Sequence, residues 1–318
     1  MDMEKKQLGN TDLKTSPIVF GGNVFGWTLS EKESFKMLDE LLERGFDTID
    51  TADVYSRWAE GVEGGTSEKI IGKWMKDRKV RDKITLITKV GSSMQQGGEK
   101  NISKDYILKA SEDSLKRLQT DYIDLYFTHY DDNKTSVEET LEAYQQLINE
   151  GKVRSIGASN MSAERLQESL DAAKNNNLPK YEVFQPEYSL AERNKFEGEI
   201  KDICIENNLG VIPYFSLASG FLTGKYRKEE DLQGQDRKDM VKAYFNEKGL
   251  KIISTLDDIS RSHEVSNAGV ALAWLIQRPG ITAPIASATK SSHLKSFQEA
   301  VNLKLSEEEM NRLNEVSE

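Results

Sequence analysis

Residues 122–160 read YIDLYFTHYDDNKTSVEETLEAYQQLINEGKVRSIGASN, and their pattern decides the fold. The run YIDLYFTH at 122–129 has the β-branched and aromatic composition of a buried strand. Ser136 and Glu139 make the S-x-x-E signature of a helix start, and Val137, Leu141, Tyr144 and Ile148 then recur at helical spacing. VRSIGASN at 153–160 returns to strand composition. A strand, a helix and a second strand in one short stretch is the crossover unit that joins parallel strands.

The same unit repeats on both sides. Upstream, SPIVFGG at 16–22 precedes a helical stretch at 31–44 with a Ser30/Glu33 capping box and Phe35, Leu38 and Leu42 on one face. FDTIDT at 46–51 precedes SEKIIGKWMK, and KITLITKV at 83–90 precedes a helix over 105–118. Downstream, SAERLQESLDAAK comes after 153–160, and YEVFQPEY at 181–188 precedes KFEGEIKDICIENN. GVIPYFSL at 210–217 leads into a long polar stretch and then the apolar helix AGVALAWLIQ. TAPIASA at 282–288 leads to HLKSFQEAV.

Eight strand–helix units without a break in composition predict one α/β domain over 1–318, a (β/α)8 TIM barrel, since right-handed crossovers curl such units into a closed cylinder. An open doubly wound sheet is the rival. It carries G-x-G-x-x-G after its first strand, whereas this chain has GGNVFGW there. GFLTGK at 220–225 lacks one spacer and the Ser/Thr of a phosphate loop. The stretch before Pro17 predicts a turn-containing hairpin lid under the barrel, and SEEEMNRLNEVSE a last capped helix, giving extra helices near the C-terminus. The insertions at 56–65 and 218–250 both come after strands, which places them on the catalytic face.

Composition narrows the function classes. The net charge of −10 argues against nucleic acid and anionic membranes as partners. No apolar run approaches the ~20 residues of a membrane span, and MDMEKKQLGN carries no export signal, so the expected location is cytoplasmic. The single Cys204, between Ile203 and Ile205, reads as a core thiol in a helix. The pattern carries no signal for oligomeric state.

The informative residues end three successive strands: Asp50 and Tyr55 in DTADVY, Lys89 in ITKV, and His129 in YFTHY. A carboxylate, a phenol, an ammonium and an imidazole would then ring one barrel mouth. Such a set can protonate an oxyanion as it forms. Lys89 near Tyr55 is expected to favour the phenolate and lower the phenol's pKa, with Asp50 holding Lys89 charged. Asp47, Asp53, Asp131 and Asp132 are assigned to turns and solvent. No metal is expected, because His263 and His293 stand far apart and no H-x-H or H-E-x-x-H spacing occurs. Trp27, Trp58 and Tyr130 are expected to form an aromatic pocket beside these four residues.

LGNTDLKTSPIVFGG, GFDTIDTADVYS, TSEKIIGKWMK, ITKV, DYIDLYFTHYDD, NEGKVRSIGASN, FQPEYSL and SLASGFLTGKY together resemble the aldo-keto reductase family over nearly the whole chain. The resemblance implies an NADPH-binding barrel, with NADH possible, that reduces a small-molecule aldehyde or ketone or runs the reverse alcohol oxidation. It makes Asp50, Tyr55, Lys89 and His129 the catalytic tetrad, with Tyr55 as general acid. By matching motif positions, Gly22, Asn23 and Val24 would pass beside the nicotinamide. Ser159, Asn160 and Gln185 would hold its carboxamide, and Tyr214 would stack under it. Phe215, Ser216, Leu217, Ser219 and Gly220 with Lys225 would wrap the pyrophosphate. Arg237, Thr289 and Lys290 are the candidates for the 2′-phosphate. The family usually has a Gly-rich turn after the last strand, then Gln or Arg, then a Glu-Asn pair. Here Ser287 replaces the Gly, His293 the Gln/Arg, and Ser296 and Phe297 the pair, which puts adenosine recognition and NADPH preference in question. The rival function is an NADPH-binding, redox-sensing regulatory subunit. Potassium-channel β subunits are similar to this chain but carry an amide where His129 stands, which favours catalysis.

Overall fold

The computed structural model describes residues 3–95, 97–234 and 238–318. Strands β1 (Lys6–Gln7) and β2 (Lys14–Thr15) pair as an antiparallel hairpin. Then come β3 (Val19–Gly21), β4 (Thr48–Asp50), β5 (Thr85–Val90), β6 (Ile123–Thr128), β7 (Val153–Ser159), β8 (Val183–Gln185), β9 (Gly210–Val211) and β10 (Ile285–Ala286). These eight pair in parallel in the order β10-β3-β4-β5-β6-β7-β8-β9. Between the sheet's two ends, Thr282 N donates to Val211 O at 2.8 Å and Ile285 N to Pro213 O at 2.8 Å, which closes the cylinder. The barrel expectation holds. Several strands are shorter than their sequence runs, with β10 covering only two residues of 282–288.

Helices α1 (Glu31–Glu43), α2 (Thr66–Arg78), α3 (Lys104–Leu118), α4 (Val137–Asn149), α5 (Ala163–Asn176) and α6 (Glu199–Glu206) come after β3 to β8 in turn. α7 (Lys238–Lys242), α8 (Glu247–His263) and α9 (Asn267–Gln277) lie between β9 and β10, and α10 (Leu294–Asn302) and α11 (Glu307–Ser317) lie after β10. The caps read from sequence are in place. Ser30 and Glu33 form a capping box, and the Ser136 side chain accepts from Glu139 N at 3.2 Å.

α8 departs from expectation, because the whole stretch from residue 218 up to the apolar helix reads as a polar loop. Asn246 caps α8 by accepting from Gly249 N, and Ile252, Ile253, Leu256 and Ile259 are buried. That stripe is helical in spacing but diluted by Lys, Asp and Arg on the outer face. No described helix is long and apolar enough to cross a membrane.

Two apolar layers hold the barrel. The outer one lies between strands and helices and contains Cys204, whose thiol burial pushes up to about 12. The inner one fills the cylinder with Val19, Ile87, Leu125, Phe127, Val183, Ile212, Ala283 and Ile285, and Leu8 and Leu13 of the hairpin belong to the same cluster. The hairpin therefore acts as the expected floor. Gly157 makes room inside, since a Cβ there would stand 2.5 Å from the Phe127 ring and 2.8 Å from Val183 O.

The C-terminal helix is latched to the loop after β8. Arg193 donates to Glu197 (2.7 Å), Asn314 O (2.8 Å) and Ser317 Oγ (3.1 Å), while Arg278 donates to Glu197 (2.7 Å) and to Asn314 Oδ1 (3.3 Å). Burial alone would raise Glu197, yet the hydrogen bonds from Arg193 and Tyr188 hold its carboxyl at about 2.

Candidate functional site

In a strand, the residue two positions on lies one pleat nearer the C-terminal mouth and on the same face, and six buried positions of the barrel have a polar successor of this kind. Those successors are the site. Thr48 is succeeded by Asp50, Ile87 by Lys89, Phe127 by His129, Gly157 by Ser159, Val183 by Gln185 and Ile212 by Tyr214. Strand period alone thus puts six polar groups from six strands into one ring above the apolar plug.

The ring is bonded together. Lys89 Nζ is fully buried and donates to Asp50 Oδ2 (2.6 Å), Thr51 O (2.7 Å) and Tyr55 Oη (3.0 Å). The Tyr55 hydroxyl lies 3.4 Å from Asp50 Oδ2, and Gln185 Nε2 donates to Asp50 Oδ1 at 3.0 Å. Three donors thus converge on one buried carboxylate, which is the pairing a buried charge requires. The His129 ring centroid is 6.1 Å from that of Tyr55, and its backbone N is fixed on Val90 O at 2.7 Å. The four residues predicted to converge do converge.

Their electrostatics correct one expectation. The Tyr55 phenol is not lowered; burial first, and then the Asp50 charge, raise it well above its ordinary value. Asp50 already takes up the Lys89 charge, so desolvation of the phenolate dominates. Burial pulls Lys89 down, opposed by Asp50. Burial, and after it the charges of Lys89, Arg57 and Lys100, holds His129 well below its usual range. At neutral pH the site therefore presents a neutral phenol and a neutral imidazole.

Next to this ring, Tyr214 Oη donates to Asn160 Oδ1 (2.7 Å). Asn160 Nδ2 donates to His129 O (3.1 Å) and Ser159 Oγ (3.0 Å), and Ser159 Oγ donates to Gln185 O (2.8 Å). Gly22 O accepts from Ser67 Oγ at 2.8 Å, and the Ser287 hydroxyl bridges Gly21 O and Asn23 Oδ1, each at 2.7 Å. Val24 is part of the buried core. In the loop after β9, Phe215, Ala218, Ser219 and Gly220 all adopt left-handed backbone conformations. Left-handed turns can expose backbone amides to an anion; here Ala218 N and Gly220 N are bonded within the turn, to Phe215 O (2.7 Å) and Leu217 O (2.9 Å). Ser216 donates to Pro213 O (3.1 Å). Lys225 and Lys290 both bear on His293, whose imidazole is lowered by partial desolvation first and by these two charges next. Thr289 precedes Lys290 at the start of that turn. Phe297 is core rather than a ligand contact, packing on Phe46 at 5.6 Å and Phe20 at 6.4 Å. The remaining predicted contact, Arg237, lies outside the described residues.

The aromatic residues form a wall over the ring. Trp27 meets Trp58 edge-on at 5.7 Å, Trp58 meets Tyr55 at 5.7 Å, and Tyr130 stacks on His129 at 4.8 Å.

The assignment of nearby acids to solvent needs correction. Asp47, Asp53 and Asp131 are buried. Asp131 pairs with Arg165 at 2.9 Å and also accepts from Asn133 N at 3.3 Å, and Asp132 accepts from Lys134 N and Thr135 N, so both keep the expected turn role. Asp53 is 1% exposed with neither oxygen hydrogen-bonded, and burial raises it well above its ordinary value. Beside it Glu68, to which the sequence pattern assigned no role, accepts from Thr88 (2.6 Å) and Arg117 (2.6 Å) behind β5. Glu68 sits on the inner face of α2, a helical-register signal present in SEKIIGKW.

A cylinder whose mouth carries a buried Asp–Lys–Tyr set, a histidine and a loop of left-handed turns is the layout of a barrel oxidoreductase. The family model described as the aldo/keto reductase family matches residues 17–318, and the chain belongs to that family. It is 33% identical over 321 residues to the uncharacterized oxidoreductase YrpG of Bacillus subtilis, covering 99% of this chain and 96% of that one. It is 31% identical over 327 residues to the aldo-keto reductase YhdN of the same organism, covering 99% and 94%. It is also 30% identical over 308 residues to a probable voltage-gated potassium channel subunit beta of Arabidopsis thaliana, covering 95% and 92%.

Proposed function

We propose that this protein reduces an aldehyde or ketone with NADPH, or with NADH, and that Tyr55 is the proton donor. The observation that carries the reading is the Tyr55 hydroxyl 3.0 Å from a buried ammonium that is itself fixed on Asp50 at 2.6 Å.

The residues at the mouth fit a dinucleotide. Tyr214 is half-buried and its hydroxyl is tied to Asn160, which leaves the ring face as a platform, and Ser159, Asn160 and Gln185 gather amide and hydroxyl groups beside it. The left-handed turn at 215–220 with Lys225 suits a pyrophosphate, and Lys290 adds a second cation suited to a further phosphate. When bound, the nicotinamide supplies the hydride.

The chain's own residues do the rest. The wall of Trp27, Trp58 and Tyr130 holds an apolar or aromatic carbonyl against the ring. The Tyr55 O–H donates its proton to the carbonyl oxygen as negative charge builds there. Lys89 stabilises the tyrosinate that remains, and Asp50 keeps Lys89 in reach of it. His129, neutral, contributes one hydrogen bond at the same oxygen and so orients it. Proton uptake from solvent restores the phenol. The regulatory-subunit reading draws on the likeness to potassium channel subunits, but a histidine within the ring is a feature that turnover uses.

Tyr55→Phe is the test. It should bind NADPH with unchanged affinity while losing a factor of about 10²–10⁴ in kcat for a generic aromatic aldehyde. Native-rate reduction by that variant would remove Tyr55 as the acid.

A further inference from the structure

Eleven of the described arginines are paired. Arg44, Arg78, Arg81, Arg117, Arg154, Arg165, Arg193, Arg227, Arg261, Arg278 and Arg312 each form an ion pair with a carboxylate. Among the described residues Arg57 is the only arginine without one, and its Nη1 is buried with no hydrogen-bond partner. It stands two residues beyond Tyr55, in a turn closed by its own N–H on Val54 O, and its Nη2 is anchored on Ser92 Oγ at 3.3 Å. Lys100 on the neighbouring loop also has no carboxylate partner among the described residues. Its Nζ lies 4.8 Å over the Tyr130 ring, the face of which stacks on His129.

Three acids near this rim are already held, while the buried carboxyl of Asp53 has no hydrogen-bond partner. Glu99 is held by Lys134 (2.8 Å), Asp131 by Arg165 (2.9 Å) and Glu187 by Lys195 (2.6 Å). On a chain of net charge −10, two uncompensated cations therefore mark one side of the mouth. An unpaired buried guanidinium N–H is costly, and its planar donor fork matches a carboxylate.

We propose that the carbonyl substrate carries a carboxylate, received by Arg57 and Lys100 on the β4–β5 side of the mouth while its carbonyl faces Tyr55. This deepens the proposed reductase function and rests on the same mouth. It identifies Arg57 as a specificity-determining residue. The cationic rim also steers an anion inward against the acidic surface, an effect that salt weakens. The competing account of Arg57 is compensation of Asp53, the buried carboxyl whose oxygens have no hydrogen-bond partner.

The test is equilibrium binding, which needs no turnover. The probes are 4-carboxybenzaldehyde and its methyl ester, titrated against the NADP+-loaded protein, which cannot donate hydride, by quenching of tryptophan fluorescence. The acid should bind about tenfold more tightly than the ester, a difference of about 1.4 kcal/mol, with the gap narrowing in high salt. Arg57→Met should bring the ratio close to one, and the exposed Lys100→Gln should lower it severalfold; thermal melting and NADPH affinity of both variants report the fold. An ester bound as well as the acid overturns the proposal. So does an acid-to-ester ratio that survives Lys100→Gln and Arg57→Met, in which case Arg57 serves Asp53. Steady-state reduction of the two probes is read separately. Absent turnover with the binding preference intact would sink the reductase reading and leave the carboxylate site standing.

Discussion

Glu197→Gln is a replacement whose cost the geometry sets. Glu197 accepts from Arg193 and Arg278, each at 2.7 Å, and from Tyr188, and this holds its carboxyl at about 2 against an ordinary 4.5. The group is mostly buried, so solvent screens these pairs only in part. A carboxyl depressed in the folded state stabilises the fold above its unfolded pKa, and that stability is lost as pH falls toward the folded value. At 1.36 kcal/mol per unit, the full contribution is about 3 kcal/mol at pH 7, falling to about 2 kcal/mol near pH 3.5. Glutamine keeps the shape and one acceptor oxygen but loses the charge. Urea unfolding of both proteins from pH 7 to 3.5 should show Glu197→Gln destabilised by about 2–3 kcal/mol at pH 7, with the difference shrinking below pH 4.5. Equal stabilities at pH 7, or a gap that does not depend on pH, would refute the assignment of that depression to Arg193, Tyr188 and Arg278.

Three further outcomes rest on the same geometry. The reduction rate should show no acidic limb at the ordinary histidine pKa of about 6.5, because His129 is held neutral; a limb there that His129→Asn abolishes would contradict this. Gly157→Ala should cost about 1–3 kcal/mol by chemical denaturation, since its Cβ would meet the Phe127 ring at 2.5 Å; a neutral result would mean that the ring has space to move. The native Cys204 thiol, raised to about 12, should resist a disulfide exchange reagent at pH 8 and react only after unfolding; rapid native labelling would place it at the surface.

The barrel and three of its tetrad, Asp50, Lys89 and His129, are legible in the sequence because they derive from strand period, while Tyr55 lies on the loop after β4. DTADVY, ITKV and YFTHY put their polar residues where a strand ends, and the pleat does the rest. The features that escape the sequence do so for physical reasons. In α8, isoleucines and leucines at helical spacing are interleaved with charges, so the segment resembles its polar neighbour. Asp53 and Glu68 look like solvent-facing acids because charge implies exposure unless a partner is known, and Arg117, which covers Glu68, lies far along the chain. The Tyr55 shift runs opposite to expectation because a nearby ammonium counts for little once a carboxylate has absorbed its field. Arg57 gives no signal in sequence, since being unpaired is a property of its surroundings.

Asp50, Lys89 and His129 each stand two residues beyond a buried strand residue, Thr48, Ile87 and Phe127, while Tyr55 lies on the loop after β4. Inserting a single residue within β5 between Ile87 and Lys89 would therefore turn the lysine outward, toward the helices, and silence the chemistry without emptying the core. Loops beyond the strand ends face no such parity rule. Lineages of this fold can lengthen or recut the rim around Arg57 and Lys100 freely, while the strands below tolerate replacement of side chains but not a change in their count.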